Sequence, residues 1–145
     1  MKTFPHTYQT SSVMSSDHPS ILSCSSNGLE PLELSAPPEF DGPEGHWSPE
    51  TLLSASISSC FILSFKALAN IKGFEFTRLE CHCDARLEKT NEGIVFTNFE
   101  LRATLDIPHD DSVQANKLLE KAKSVCLITA SLKGKTSLRS EVRST

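Results

Sequence analysis

The chain has 145 residues, of which 38% are hydrophobic and 22% are charged, and its formal net charge at pH 7 is −4. These values predict one globular domain, residues 1–145, with enough chain to bury a core. The acidic balance and the scattered basic residues argue against nucleic acid as a partner. No apolar run approaches the roughly 20 residues that cross a bilayer, so no membrane partner is expected.

Five cysteines are spread along the chain without the close spacing of a secreted disulfide scaffold. They are Cys24, Cys60, Cys81, Cys83 and Cys126. The first residues contain no apolar stretch that could form the core of a signal peptide. Both observations predict a cytoplasmic location in which the cysteines rest as thiols. A disulfide among them would then be transient and catalytic.

Residues 1–47 are predicted to form a β-meander and a loop. Weak strand patterns lie near 4–13, 19–25 and 29–35, with a Ser-Asn-Gly turn before the last of them. Prolines and glycines are frequent between residues 37 and 47, which favours a loop there.

A central helix is predicted over residues 48–72. Ser48 can cap it, Glu50 lies in the first turn, where the helix dipole favours a carboxylate, and Gly73 ends it. Residues 52–68 are apolar or small on every face, so the helix is expected to be buried all round. A helix about 33 Å long is difficult for a chain of this size to cover. We therefore expect a second subunit to cover part of it.

A β-hairpin is predicted over residues 74–107, because apolar and polar residues alternate on both sides of a turn at Asn91-Glu92-Gly93. Cys81 and Cys83 fall on its core face, whereas His82 between them faces the other way. A closed zinc site needs four ligands, and no second ligand pair is present. The two thiols are therefore predicted to be small buried hydrophobes, and no metal site is expected.

A second helix is predicted over residues 110–131, with Asp111 and Gln114 spaced as a capping box. Its apolar stripe includes Cys126. A last strand is predicted over 135–143. The complete pattern indicates an α+β fold in which antiparallel sheets surround a long buried helix and a second, cysteine-bearing helix lies beside them.

Cys60 and Cys126 are the candidate reactive residues, because each lies on one of the two long helices. Taken alone, each is more often an inert buried thiol. A reactive thiol needs its pKa lowered from about 8.5 by positive charge or hydrogen-bond donors. A second thiol within reach converts a sulfenic acid into a recoverable disulfide. The pattern is compatible with that chemistry.

The segment Gly45-His46-Trp47-Ser48-Pro49-Glu50-Thr51-Leu52-Leu53-Ser54-Ala55-Ser56-Ile57-Ser58-Ser59-Cys60-Phe61 resembles the signature of the OsmC/Ohr family of osmotically inducible and organic hydroperoxide resistance proteins. The later segment Ala122-Lys123-Ser124-Val125-Cys126 is also similar, and so is the order of the predicted elements. The resemblance implies an intertwined homodimer with active sites at the subunit interface. It further implies that Cys60 is the peroxidatic and Cys126 the resolving cysteine, and that Glu50 positions an activating arginine.

That arginine is missing, because the sequence contains none before Arg78. His18 and His46 are the candidate activating cations in its place, although a histidine is only partly charged at neutral pH. In a regular helix Glu50 would lie about 15 Å along the axis from Cys60. Glu50 is therefore expected to act across the dimer interface, unless the first turn bends away.

The sequence thus predicts a peroxidase that reduces organic hydroperoxides and is regenerated by an external dithiol, without a cofactor. Trp47, Ile57 and Phe61 are the predicted substrate-binding residues, since apolar surroundings favour an apolar peroxide. The alternative is a non-enzymatic dimer of the same fold that binds a small apolar ligand at the subunit interface. The missing arginine is the observation that favours this alternative.

Overall fold

The computed structural model describes residues 3–144, which form an α+β fold. The chain divides into two compact units, Met1–Leu52 and Leu53–Thr145. Each unit contains one three-stranded sheet within the described residues. The α+β class predicted from the sequence is confirmed.

The N-terminal unit holds three short antiparallel strands in the order β1-β2-β3. They are β1 (Ser11–Met14), β2 (Leu22–Ser25) and β3 (Leu32–Leu34), each shorter than the range that the sequence predicts. Gly28 takes a φ of 76° in the turn between β2 and β3, a conformation that glycine adopts without strain. A short 3-10 helix, Pro38–Phe40, follows β3.

Helix α1 runs from Pro49 to Lys72. Its first turn is closed by a reciprocal pair of hydrogen bonds, in which the Thr51 N–H donates to Ser48 Oγ (3.2 Å) and the Ser48 N–H donates to Thr51 Oγ1 (2.8 Å). Gly73, with a φ of 62°, follows its last residue, and the next N–H closes back onto Ala69 O at 2.9 Å.

One stripe of α1 is buried, and the rest is not. Its fully buried residues, four apart, are Ile57, Phe61, Phe65 and Ala69. Leu63 and Ile71 on other faces are 64% and 78% exposed, so the helix is not buried all round within one chain, contrary to expectation.

The expectation that no segment could cross a membrane is also wrong for α1 by length and composition. Its mean hydropathy reaches 1.7, because the serines that interrupt the apolar run lower the average only slightly. The core helix of a soluble protein passes the same test, and the buried stripe of α1 is what such a helix shows.

The C-terminal unit contains the long hairpin and a crossover. Its elements are β4 (Arg78–Thr90), β5 (Gly93–Ile107), α2 (Ser112–Val125), α3 (Leu127–Ala130) and β6 (Lys135–Ser144). Strands β4 and β5 pair antiparallel, as the alternation predicts. Strand β6, however, pairs parallel to β5 rather than antiparallel. A parallel pair needs a crossover connection, and α2 with α3 supplies it.

The core of this unit lies between the sheet and the two longer helices. Alternate residues of β5 are buried: Phe99, Leu101, Ala103, Leu105 and Ile107. They pack with the α1 stripe and with the buried face of α2, which consists of Ala115, Leu118, Leu119 and Ala122. Burial of this apolar surface is the main force that fixes α1 and α2 on the sheet.

Candidate active site

Cys126 lies at a break between two helices. Helix α2 ends at Val125, and Cys126 has an extended backbone (φ −64°, ψ 115°), so it both ends α2 and caps α3. The Ala130 N–H donates to its carbonyl oxygen at 3.1 Å, which starts the new helix. The predicted continuous helix over 110–131 is therefore interrupted at the cysteine, because its ψ cannot continue the α2 ladder.

The sulfur of Cys126 is surrounded by hydrogen-bond donors, although the residue is only 1% exposed. Burial by itself raises the pKa of this thiol. Hydrogen bonds from the Thr129 hydroxyl and backbone N–H, from the Cys60 thiol and from the Ile128 N–H outweigh burial, and the pKa lies below its ordinary value. Donors directed at a sulfur favour its thiolate form.

Cys60 is in the middle of α1 and is half-buried, next to the fully buried Phe61. Its thiol makes the hydrogen bond to Cys126. The fold therefore brings the two predicted reactive cysteines together, one from a helix and one from a helix junction.

Cys81 and Cys83 are half-buried on β4 and pack against the core. Burial, followed by negative charge on Cys83 and Cys126, raises the pKa of Cys81 to about 12. Burial, followed by the charges of Asp84 and Cys126, raises that of Cys83 to about 11. Both are therefore neutral thiols at physiological pH.

Metal ligation finds no support in the described part of the chain. His82 lies 3.2 Å from Glu80 in an ion pair. Within residues 3–144 no three His, Cys, Asp or Glu side chains are grouped so that they could hold a metal ion. Cys24 is half-buried on β2, where it pairs with Ser12 and Leu32.

The other predicted site residues belong to the N-terminal unit. Glu50, in the first turn of α1, is half-buried, and its Oε2 atom is shielded from solvent. His18 is exposed in the turn between β1 and β2, where its N–H donates to Ser15 O at 3.1 Å. His46 is half-buried in the loop before α1. The roles of Glu50, His18 and His46 stay predictions.

The three residues predicted to bind substrate differ in exposure. Trp47 is 47% exposed, and its carbonyl oxygen accepts the Ser35 N–H at 2.9 Å. Ile57 and Phe61 are both 0% exposed within the core. Their contact with a substrate therefore stays a prediction, and it requires the core beside Cys60 to open.

Sequence reasoning did not assign a role to Thr129 or to Ile128. Thr129 forms part of the apolar stripe in the sequence pattern, and its chemistry depends on the helix break that precedes it. A signal was present in the spacing, because Thr129 follows Cys126 by three residues, the distance between a helix cap and the N–H that it accepts.

Residues 42–141 match the family model described as OsmC-like protein. Among curated proteins, the chain is 27% identical over 105 residues to peroxiredoxin OsmC of Escherichia coli, which covers 72% of this chain and 73% of that protein. Among solved structures, an OsmC-like protein of unknown function from Vibrio cholerae superposes with a TM-score of 0.85 at 18% identity, over 96% of this chain and all of that one (100%). An organic hydroperoxide resistance protein OsmC from Legionella pneumophila superposes with a TM-score of 0.75 at 22% identity, over 99% and 100% of the two chains.

Proposed function

Because the chain belongs to the OsmC-like protein family, we propose that it is a thiol-dependent peroxidase that reduces organic hydroperoxides with Cys60 and Cys126. The observation that carries the proposal is the hydrogen bond between the Cys60 thiol and the Cys126 sulfur. Two thiols in contact, one half-buried and one lowered in pKa, are the elements that a two-cysteine peroxidase needs. The names of the related proteins, peroxiredoxin and organic hydroperoxide resistance protein, support the same reaction.

The proposed reaction has two steps. The Cys60 sulfur attacks the distal peroxide oxygen, the O–O bond breaks, and the alcohol leaves after taking up a proton, so that Cys60 becomes a sulfenic acid. The Cys126 thiolate then attacks the Cys60 sulfur and forms a disulfide, and hydroxide leaves and is protonated to water. Thiol–disulfide exchange with an external dithiol reduces the disulfide and returns both thiols.

The proposed substrate is an apolar hydroperoxide rather than hydrogen peroxide. The nearest neighbours of Cys60 on the α1 surface include Ile57, Phe61 and Ser64, which leave little polar surface beside the sulfur. An apolar pocket contributes affinity only to apolar groups. We place this reaction in the cytoplasm, where dithiol reductants keep cysteines reduced.

We further propose that the active unit is a homodimer. Helix α1 carries large apolar side chains on its uncovered faces, among them Leu63 (64% exposed) and Ile71 (78% exposed). A second copy packed on these faces would bury them. In such a dimer Glu50, His18 or His46 of one protomer would be the group that acts on the thiols.

Intact mass after one equivalent of cumene hydroperoxide tests the proposal. The protein is expected to lose two hydrogens, and Cys60→Ser is expected to abolish that loss. Cys24→Ser is the matched control, because Cys24 lies on β2 in the N-terminal unit, and it is expected to behave as the unmodified chain. An unchanged mass, together with retention of an apolar compound through purification, would instead support the ligand-binding alternative.

A further inference from the structure

The groups that favour a thiolate surround Cys126 rather than the proposed attacking sulfur, Cys60. The chain has no arginine before Arg78 to serve as the activating cation. In the described structure the hydroxyl of Thr129 and two backbone N–H groups are directed at Cys126, and Cys60 contributes its own thiol proton to the same sulfur. The arrangement thus has a direction, with Cys60 as the donor and Cys126 as the acceptor.

Thr129 is fixed in this position by the helix break. It lies in α3, three residues after Cys126, is half-buried, and its hydroxyl is 3.2 Å from the Cys126 carbonyl oxygen. The same hydroxyl reaches the Cys126 sulfur. Cys126 is 1% exposed, so water cannot replace a lost donor at this sulfur.

We propose that Thr129 is a positioning residue that holds Cys126 as a thiolate, so that Cys126 accepts the proton of Cys60 as Cys60 attacks the peroxide. This inference rests on the proposed peroxidase function. It assigns Cys126 two successive tasks, first as the base and then as the resolving nucleophile.

The proposed proton transfer balances. The Cys60 S–H bond breaks and its proton passes to the Cys126 thiolate, while the Cys60 sulfur forms a bond to the distal oxygen and the O–O bond breaks. The alkoxide that leaves takes the proton from Cys126, which gives the alcohol and restores the thiolate. Cys126 is then charged when the Cys60 sulfenic acid is formed, and no further deprotonation is needed before the disulfide closes.

The titratable groups that interact with Cys126 come from two other elements. Cys60 on α1 donates to it, and Cys81 and Cys83 on β4 interact with its charge. The two β4 thiols stay neutral until far above neutral pH, so they do not compete with Cys60 as proton acceptors. Loss of the Thr129 hydroxyl is therefore expected to change the ionisation of Cys126 specifically.

Titration of thiolate absorbance near 240 nm tests the proposal in the full chain. The step that Cys126→Ser removes is the step of Cys126. In Thr129→Val and in Thr129→Ala this step is expected to move to higher pH, and disulfide formation with cumene hydroperoxide at pH 7 is expected to become about tenfold slower, as for loss of one hydrogen bond to a charged group. Thr129→Ser retains the hydroxyl and is expected to restore both.

Ser131→Ala is the matched control, because Ser131 donates to Leu127 O at 3.0 Å, beside α3, without contacting the sulfur. It is expected to leave the step in place. A step at the same pH in folded Thr129→Val and Thr129→Ala as in the unmodified chain would overturn the inference. The titration needs no peroxide, so a shifted step without disulfide formation would instead contradict the proposed function.

Discussion

The thiol of Cys60 hydrogen-bonds the sulfur of Cys126, although the two residues lie far apart in the sequence. Their contact depends on the packing of the C-terminal unit, in which α1 and α2 share one core with β5. Four of the α1 residues that make this core are fully buried, and so are four of α2. The apolar core therefore fixes the geometry of a polar pair at its edge.

Removal of the resolving sulfur should trap the first oxidation product. In Cys126→Ser the Cys60 sulfenic acid has no partner, so dimedone is expected to add to Cys60 after one equivalent of peroxide. Excess peroxide is expected to carry Cys60 on to the irreversible sulfinic acid. Mass spectrometry of the peptide that contains Cys60 checks both. Absence of the adduct, with Cys60 recovered as a thiol, would contradict the assignment of Cys60 as the attacking residue.

The thiols of β4 should resist alkylation until strongly alkaline pH. Burial raises the pKa of Cys83 to about 11 and that of Cys81 to about 12, so iodoacetamide is expected to react with Cys83 first as the pH rises. In the unfolded chain both should react from near pH 9. Peptide mapping after timed alkylation measures each residue separately, and equal rates in native and urea-unfolded protein at pH 8 would refute the prediction.

The same shifts determine how these thiols affect stability. Above the model value of 9.0 the unfolded chain loses the two protons before the folded chain does. The free energy of unfolding is therefore expected to fall as the pH rises from about 9 towards 11 and 12. The double variant Cys81→Ala/Cys83→Ala should show a smaller fall over this window in urea titrations.

The alternation of the hairpin and the ends of α1 could be predicted from the sequence, because each depends on local chemistry. Period-two residues such as Leu101 and Leu105 are buried where the pattern places them, and Ser48 and Gly73 begin and end α1 as their residue types predict. The break at Cys126 could not be predicted. The apolar stripe continues through it, and neither glycine nor proline marks it.

The parallel pairing of β6 could not be predicted for a different reason. Its alternation is compatible with either direction, and the direction is set by where α2 and α3 return the chain. The role of Thr129 also depends on the break, because only a helix that begins again at Cys126 directs the Thr129 donors at the sulfur. Tertiary connection, rather than local propensity, thus decides the parts of the site that sequence reasoning missed.

Truncation of the core aromatic Phe65 should destabilise the fold. Its side chain is 0% exposed and makes edge-to-face contacts with Phe74 and Phe76, with ring centroids 6.3 and 5.2 Å away. Phe65→Ala is expected to lower the free energy of unfolding by about 3–5 kcal/mol. Lys66→Ala, one residue along at an exposed position, is the control and should change it by less than about 0.5 kcal/mol. Urea unfolding monitored by circular dichroism compares them, and equal effects would contradict the described core.

The cap of α2 should make a measurable contribution to stability. Asp111 Oδ1 accepts the Gln114 N–H at 3.3 Å. Asp111→Ala is expected to cost about 1 kcal/mol in urea unfolding. The adjacent exposed Asp110 supplies the matched control, since Asp110→Ala removes the same charge without removing the cap. A larger loss for Asp110→Ala than for Asp111→Ala would show that charge rather than capping stabilises this end.

Non-reducing peptide mapping after one equivalent of cumene hydroperoxide tests the central claim most directly. The account predicts a single cross-linked pair of peptides, one containing Cys60 and the other Cys126. Because both sulfurs belong to one chain, the oxidised protein should migrate as a monomer on a denaturing gel. Recovery of Cys126 as a free thiol beside oxidised Cys60, or a link from Cys60 to Cys81 or Cys83, would contradict it.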